Sequence, residues 1–474
     1  MNIFTAFFYP TFLGFLTLSV MLRQVPFRNR ILFLLGASFP TGAGLCSLIL
    51  FVSYLLRPSE AKFISLASGL LIVTFLLGYW IRYHRENPAQ HHAWARKINL
   101  KDKHLLLEML PSILGFLLFT ITLVTVLRFY SLSAPMDIFG GGDVRYFWTL
   151  KAKFFFRSPE EWQGMFSPKL FWTHTDYPLL FPGILAWGWN WLGYESLLWP
   201  PLVSLGFYLS CVLILVWYLS SYVSWTTGWI GGTFFLVLMS YLYWTIYQYA
   251  DIPLTFFITA CVLTLMAALR SDQRKIFIVS GLLGGLAAWT KNEGLLFAMW
   301  VCALLGGICI VRYYKKIRTP FAPFLGFLLG ALLPLLAAGI IKFFLGTHGD
   351  YFGSGRTLQN YQELLFSGWD KTFTILKAFY VLMTPFEEWK GLWGFFIVSA
   401  IILGMRKKEN RGNFVWVLFW AVILINLGYL FIFHITPHDL AWHIQFSLNR
   451  LILHSGGLAL AFSFESLTFI RKKP

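Results

Sequence analysis

Long apolar runs recur along the whole sequence, and they constrain its fold more than any other feature. About 13 of these runs have the length of a helix that crosses a bilayer. Hydrophobic residues make up 57% of the chain and charged residues only 12%, about half of the charged share in soluble proteins. We therefore expect an all-α polytopic membrane protein. The apolar runs lie at about residues 4–21, 31–56, 63–82, 105–128, 197–219, 228–247, 253–269, 276–290, 294–311, 321–341, 391–405, 414–433 and 451–470.

Lys and Arg are concentrated in one set of alternate loops, and this predicts the orientation of the chain. If the N-terminus lies outside, the inner loops contain RQVPFRNR, the basic run at 82–103, RYYKKIRTP and RKKENRGN. Membrane proteins carry such an excess of Lys and Arg on the inner side. The formal net charge of +17 is then explained by topology, so no nucleic-acid partner is expected.

The segment 131–196 is expected to form one long external loop with two interfacial helices. The first would come from IFGGGDVRYFWTLKAKFFFR, in which Lys151 and Lys153 could extend toward lipid phosphates. The second, PLLFPGILAWGWNWLG at 178–193, is short for a span and contains three Trp residues, which prefer the membrane interface. We expect this second helix to lie along the outer surface of the membrane.

Six polar clusters face outward under this topology, although they come from distant parts of the chain. Unrelated clusters would fall on both faces of the membrane. The pattern therefore predicts one external active site at the membrane surface. The clusters are GGGDVRYFWTLKAK, HTDYP, YADIP, TKNEG, GSGRT and TPHDLAWHIQFSLNR.

Two acidic residues and one charged turn have both a structural and a functional interpretation. Asp143 follows three glycines, so it is either a cap of the next helix or a general base at a loop tip, and the two roles are compatible. Asp251, two residues before Pro253, has the same alternatives at the start of a span. Lys291 and Glu293 form either a hairpin turn with a local ion pair or a recessed functional group.

The last external loop contains His438, Asp439 and His443, which are residue types that can bind a metal. His434 and His438 are four positions apart, but Pro437 between them makes one regular helical face unfavourable. A divalent metal therefore stays open without being expected, and no cofactor is expected. Arg450 stands at the beginning of the final span. There it would either hold a phosphate whose lipid tail lies in the bilayer or simply form the positive flank of the span.

The motifs GGDVRYFWTLKAKFFF, HTDYPLLFPG, YADIPLTFF, AAWTKNEGLL and TPHDLAWHIQFSLNR together resemble those of the GT-C integral-membrane glycosyltransferases. The similarity is to the bacterial branch, which is related to protein O-mannosyltransferases and lipid A aminoarabinose transferases. It covers residues 105–470 and implies a catalytic core at 105–474, preceded by three additional spans at 1–104. It also implies a multi-pass enzyme of the bacterial inner (plasma) membrane, with its active site facing the periplasm or exterior.

The same resemblance implies an inverting transfer from a polyprenyl-phosphate sugar donor, without an obligatory metal. It assigns the catalytic acids to Asp143 and Asp251. Protein-mannosylating members have Asp-Glu where this chain has Asp143 and Val144. This difference weakens the case for a protein acceptor, although a glycan, a lipid and a protein all stay open.

The chemistry of such a donor requires one base for the acceptor hydroxyl and cations for the departing phosphate. We expect Asp143 to be the base, with Asp251 orienting Lys291 or the acceptor. A transporter or flippase, and a polymerase of lipid-linked saccharides, are the alternatives. The residues expected to bind substrate are Lys151, Lys153, His174, Asp176, Tyr177, Lys291, Glu293, Arg356, His438, Asp439, His443 and Arg450.

Overall fold

The computed structural model describes residues 2–86, 103–345, 362, 369–405 and 414–471. These parts of the chain form helices joined by turns and contain no β-strand. The expectation of an all-α polytopic membrane protein is confirmed, since 10 of the described helices are long and apolar enough to cross a membrane.

The helices are numbered here in chain order. The first half of the described chain contains α1 (Ile3–Met21), α2 (Arg30–Leu56), α3 (Ala61–Glu86), α4 (Lys103–Ser133), α5 (Thr149–Arg157), α6 (Leu180–Leu192), α7 (Trp199–Tyr222), α8 (Trp225–Leu236) and α9 (Met239–Ile246). The second half contains α10 (Asp251–Ser271), α11 (Arg274–Thr290), α12 (Asn292–Tyr314), α13 (Ala322–Ile340), α14 (Trp369–Met383), α15 (Phe386–Trp389), α16 (Leu392–Met405), α17 (Val415–His434), α18 (Leu440–His443) and α19 (Asn449–Arg471).

The number of spans expected from the sequence, about 13, stays a prediction. The pair α8 and α9 is bent by 56° and would supply an eleventh span if it crosses as one unit. Two further helices fall on expected spans but are shorter, with 17 residues in α11 and 14 in α16. The proposed domain boundary at residue 104 also stays a prediction. Helix α2, which precedes this boundary, packs against α6 and α7, which follow it.

Helix α10 is the central helix of the bundle, with 18 of its 21 residues buried. It packs against α7, α11 and α19. Glycines let its neighbour α11 approach α13 closely: a methyl group on Gly281 or Gly330 would collide with the backbone of the facing helix. Small residues at such contacts are typical of helix packing in membranes. The centre of the bundle is therefore a rigid support for the residues at the helix ends.

The second expected interfacial helix is present as α6, and other helices cover it. Twelve of its 13 residues are buried within the protein, where α6 packs against α2 and α5. Gly183 lies against Ser47, and Gly188 lies against the Trp199 ring. Because nearly all side chains of α6 are apolar, other helices can cover it on most of its sides. The position of α6 along the outer surface of the membrane stays a prediction.

Candidate functional site

The beginnings of α10 and α19 lie side by side at one end of the bundle. The two helices run parallel, because Asp251 contacts His454 near their starts and Arg270 pairs with Glu465 near their ends. Helix α11 returns antiparallel to α10 and brings Lys291 back to Asp251. Charged residues from the distant YADIP, TKNEG and SLNR motifs are thus collected at one place.

Asp143 joins this cluster from the long loop before α5. It precedes the π-helical segment Val144–Trp148 without making a side-chain cap, so the interpretation as a cap is wrong. Its carboxylate instead accepts a hydrogen bond from Arg450. The Asp143 side chain is 29% exposed and that of Arg450 is 14% exposed. The structure therefore presents a carboxylate that is held by a cation and still accessible.

The three glycines before Asp143 have different roles. Gly140 has a φ of +70°, a conformation that glycine adopts without strain. The Gly141 amide donates to the Tyr247 carbonyl at 3.1 Å, and a methyl group on Gly141 would lie 2.5 Å from the Tyr249 ring. Gly142 has open space around the position of a methyl group. The glycines thus fit the loop against the turn before α10 and deliver Asp143 to Arg450.

Asp251 is buried at the first turn of α10, with a side chain only 1% exposed. Its Oδ1 atom lies 2.8 Å from Lys291 Nζ and 3.2 Å from His454 Nε2. Its Oδ2 atom lies 3.9 Å from Arg450 and has no hydrogen-bond partner among the described residues. A carboxylate so enclosed has almost no surface for a substrate. It is placed to hold the surrounding cations in position.

Lys291 lies between α11 and α12 and contacts two carboxylates. Its ammonium is 2.8 Å from Asp251 and 3.0 Å from Glu293, and it lies 5.9 Å from the centre of the Tyr177 ring. Burial opposes the charge on this side chain, but the attraction of Asp251 and then of Glu293 raises the pKa of Lys291 above its usual value. The group is therefore a permanent cation, and the local ion pair expected for the TKNEG turn is present.

Lys151 does not extend toward lipid phosphates as expected. It is 1% exposed, and its ammonium donates to the His174 carbonyl at 2.6 Å. Burial lowers the pKa of Lys151 to about 7, with Asp176 opposing the shift and Lys342 reinforcing it. The reason for the different placement is that α5 packs against α6, which turns Lys151 toward the protein. Lys153 is partly exposed on the same helix.

The HTDYP motif forms a second polar group beside Lys151. Asp176 accepts hydrogen bonds from Asn292 and from Lys342, each at 2.7 Å. The His174 ring contacts the Tyr177 ring, whose centre is 5.0 Å away. Asn292 directly follows Lys291, so this group adjoins the ion pairs around Asp251.

The segment between α17 and α19 supplies His438, Asp439 and His443. Asp439 caps the short helix α18 by accepting from the Trp442 amide at 2.9 Å. The His443 ring is buried beside Phe433, and the centre of the His438 ring lies 5.8 Å away. Among the described residues, no group of three or more His, Cys, Asp or Glu side chains is arranged to hold a metal ion.

One expected residue, Arg356, lies outside the described residues. The sequence interpretation also missed participants. His454 connects Asp251 to the Tyr429 hydroxyl, which lies 2.5 Å from its Nδ1 atom. A histidine inside an apolar span was the available signal for this residue. Lys342 and Tyr249 were also missed. The only sequence signal for Lys342 was its position at the end of a span, and the signal for Tyr249 was its place in the YADIP motif.

Comparison with known proteins finds no match to a family model, to a curated protein or to a solved structure.

Proposed function

We propose that this chain is an inverting membrane glycosyltransferase of the GT-C type, with about 13 spans and an external active site. It would transfer a sugar from a polyprenyl-phosphate donor to a hydroxyl group of a cell-envelope acceptor. The observation that carries the proposal is the partly exposed ion pair of Asp143 and Arg450. This pair combines a candidate base, Asp143, with a candidate phosphate-binding residue, Arg450, at the end of an apolar bundle.

In the proposed reaction, Asp143 accepts the proton of the acceptor hydroxyl group. The hydroxyl oxygen forms a bond to the anomeric carbon of the sugar, and the bond between that carbon and the phosphate oxygen breaks. Polyprenyl phosphate leaves with the electron pair of the broken bond. Its negative charge is stabilised by Arg450, whose planar guanidinium suits phosphate oxygens.

Donor binding would also release the base. Arg450 is engaged by Asp143 in the structure, and an incoming phosphate would compete for the same guanidinium. Once the phosphate has taken Arg450, the Asp143 carboxylate is free to turn to the acceptor hydroxyl. The proposal therefore includes an order in which the donor binds first and the acceptor is activated second.

Lys291 and Asp251 support Arg450 in this scheme. An ammonium group has three donors, and Asp251 and Glu293 use two of those on Lys291, which leaves one for a phosphate oxygen. Asp251 acts as a positioning residue, because it is buried between Lys291, His454 and Arg450. Tyr146 and Tyr177 offer aromatic faces on which a sugar could stack.

The proposal is tested by comparing the cell-surface glycans of a strain with and without the gene, using mass analysis. Loss of one sugar from a lipid or glycan, restored by the wild-type gene, supports the proposal. Purified protein in liposomes with a panel of polyprenyl-phosphate sugars then identifies the donor by release of polyprenyl phosphate. Unchanged glycans together with the absence of any donor cleavage would rule the proposal out.

A transporter is the second candidate, and the buried chain of Tyr429, His454 and Asp251 is the observation that favours it. Ionisable groups inside apolar helices often mark a proton or substrate path. In liposomes, a transporter would move a lipid-linked sugar to the other leaflet with the sugar still attached. A transferase would instead separate the sugar from the phosphate.

A further inference from the structure

We propose that the cleft between α1, α3 and α11, at the bundle end opposite the candidate site, binds one anionic phospholipid, with the lipid phosphate between Arg23 and Lys275. The proposal does not depend on the transferase function. It gives the first three helices a role, because α1 and α3 form two of the three walls of the cleft.

The cleft has a volume of about 350 Å³, within the size range of ligand-binding sites. Its apolar part is lined by residues such as Val20, Met21, Phe75, Leu76 and Ile278, and its polar end by Arg23, Lys275 and Tyr79. An apolar wall that ends in two cations has the chemical pattern of an acyl chain joined to a phosphate.

The two cations are close to each other. Lys275 donates to the Arg23 carbonyl at 3.1 Å, and the Arg23 guanidinium lies 4.6 Å from the centre of the Tyr79 ring. Within the part of the chain that the structure describes, no carboxylate forms an ion pair with either residue. Burial, and then the positive charge of Arg23, lower the pKa of Lys275. The absence of an ion pair among the described residues and the lowered pKa of Lys275 both indicate that a bound anion would stabilise the two cations.

The surroundings identify a lipid rather than a soluble anion. Among the described side chains of α3, only Ala61, Ser65 and Gly69 are buried inside the protein, so its outer surface faces the bilayer. Phe75, which lines the cleft, is 72% exposed on this surface. A lipid chain could therefore enter the cleft sideways from the membrane.

The cleft is separate from the candidate functional site. Lys275 and Lys291 are at opposite ends of α11, about 24 Å apart at 1.5 Å per residue. Positively charged loops at the end that holds Lys275 are expected to face the cytoplasm, where anionic lipids attract Lys and Arg. We accordingly assign the cleft to a phospholipid of the inner leaflet.

The test measures binding of dioleoylphosphatidylglycerol to the purified full-length chain in detergent, by native mass spectrometry and by the shift in thermal midpoint. Dioleoylphosphatidylcholine and inorganic phosphate serve as the other two probes. Each cation near a lipid surface is worth about fivefold in affinity, so Arg23→Gln or Lys275→Gln should weaken phosphatidylglycerol binding by about fivefold. The double variant should weaken it by about 25-fold if the two effects add.

Arg274→Gln is the matched control, because Arg274 is adjacent to Lys275 but exposed and does not line the cleft. Lys275→Arg keeps the charge and should retain binding even if other changes at this position disturb folding. Equal binding of phosphatidylglycerol by the double variant and by the wild type would overturn the proposal. A phosphatidylcholine shift as large as the phosphatidylglycerol shift would also overturn it, as would an equal shift with inorganic phosphate.

Discussion

Asp143 and Arg450 form an ion pair although 307 positions separate them in the sequence. The pair links the long loop before α5 to the beginning of the last helix, and Arg450 also lies 3.9 Å from the buried Asp251. One guanidinium thereby connects an accessible carboxylate to an inaccessible one. This connection is the basis for the different roles that we propose for the two acids.

The Arg450→Gln variant should lose both stability and donor binding. It leaves Asp143 without its hydrogen-bonded cation, and such a charge-assisted bond contributes about 1.5 to 3 kcal/mol. Donor affinity should fall by about 10-fold or more for the same reason. Thermal unfolding in detergent and donor titration measure the two effects.

Arg157→Gln is the control for this variant. Arg157 also pairs with a carboxylate, that of Glu195, but its side chain is 60% exposed. Exposed ion pairs contribute only about 0 to 1 kcal/mol, so this change should have little effect. Equal losses of stability and of donor affinity in the two variants would show that Arg450 has no special role.

The glycines before Asp143 provide a second matched pair. Gly141→Ala places a methyl group 2.5 Å from the Tyr249 ring, which packs against Arg450. Such overpacking should cost about 1 to 3 kcal/mol and displace the loop that carries Asp143. Gly142→Ala places its methyl group in open space and should change stability by less than about 0.5 kcal/mol. Thermal midpoints and transfer rates of both variants check this, and a more harmful Gly142→Ala would contradict the described loop.

Lys151 predicts a dependence of stability on pH. Its pKa is lowered to about 7 by burial, whereas an unfolded lysine has the ordinary value of 10.5. Between these two pH values the unfolded chain binds more protons than the folded chain, so stability rises with pH. The unfavourable contribution of Lys151 is fully present below pH 7 and is relieved as the pH approaches 10.5.

The Lys151→Met variant should therefore show a smaller rise in thermal midpoint between pH 7 and 10 than the wild type. Lys153→Met is the control, because Lys153 is partly exposed on the same helix. If both variants keep the wild-type slope, Lys151 is not the group responsible. A stability that falls over this pH range only in the wild type would contradict the lowered pKa.

The sequence was informative about the bundle and about which residue types gather at its ends. Periodic apolar runs predicted the helices because each span must bury or face lipid with nearly all of its residues. The pairing of Asp143 with Arg450 was not predictable, since it depends on α10 and α19 lying parallel and on how the loop folds against Tyr249. The expected exposure of Lys151 was wrong for the same reason. Its burial follows from the packing of α5 on α6, which no local sequence pattern predicts.

Asp143→Asn separates the proposed base from a structural role. The substitution keeps the size of the side chain and leaves an amide oxygen that can accept from Arg450, but it removes the group that takes up a proton. A general base contributes about 100-fold to 10,000-fold in rate, so transfer should fall by this factor. Donor binding should persist or become tighter, because the phosphate no longer competes with a carboxylate for Arg450. Single-turnover transfer and donor titration measure the two quantities separately.

Asp137→Asn is the matched control for the same experiment. Asp137 belongs to the same loop, and the change in charge is identical, but its hydrogen bonds with Gly140 and Gln248 are made by its backbone carbonyl. Its transfer rate should stay close to that of the wild type. If well-folded Asp143→Asn protein transferred sugar at the wild-type rate, Asp143 would not be the base. Because Asp251 is buried and paired with Lys291, another accessible residue would then have to be the base.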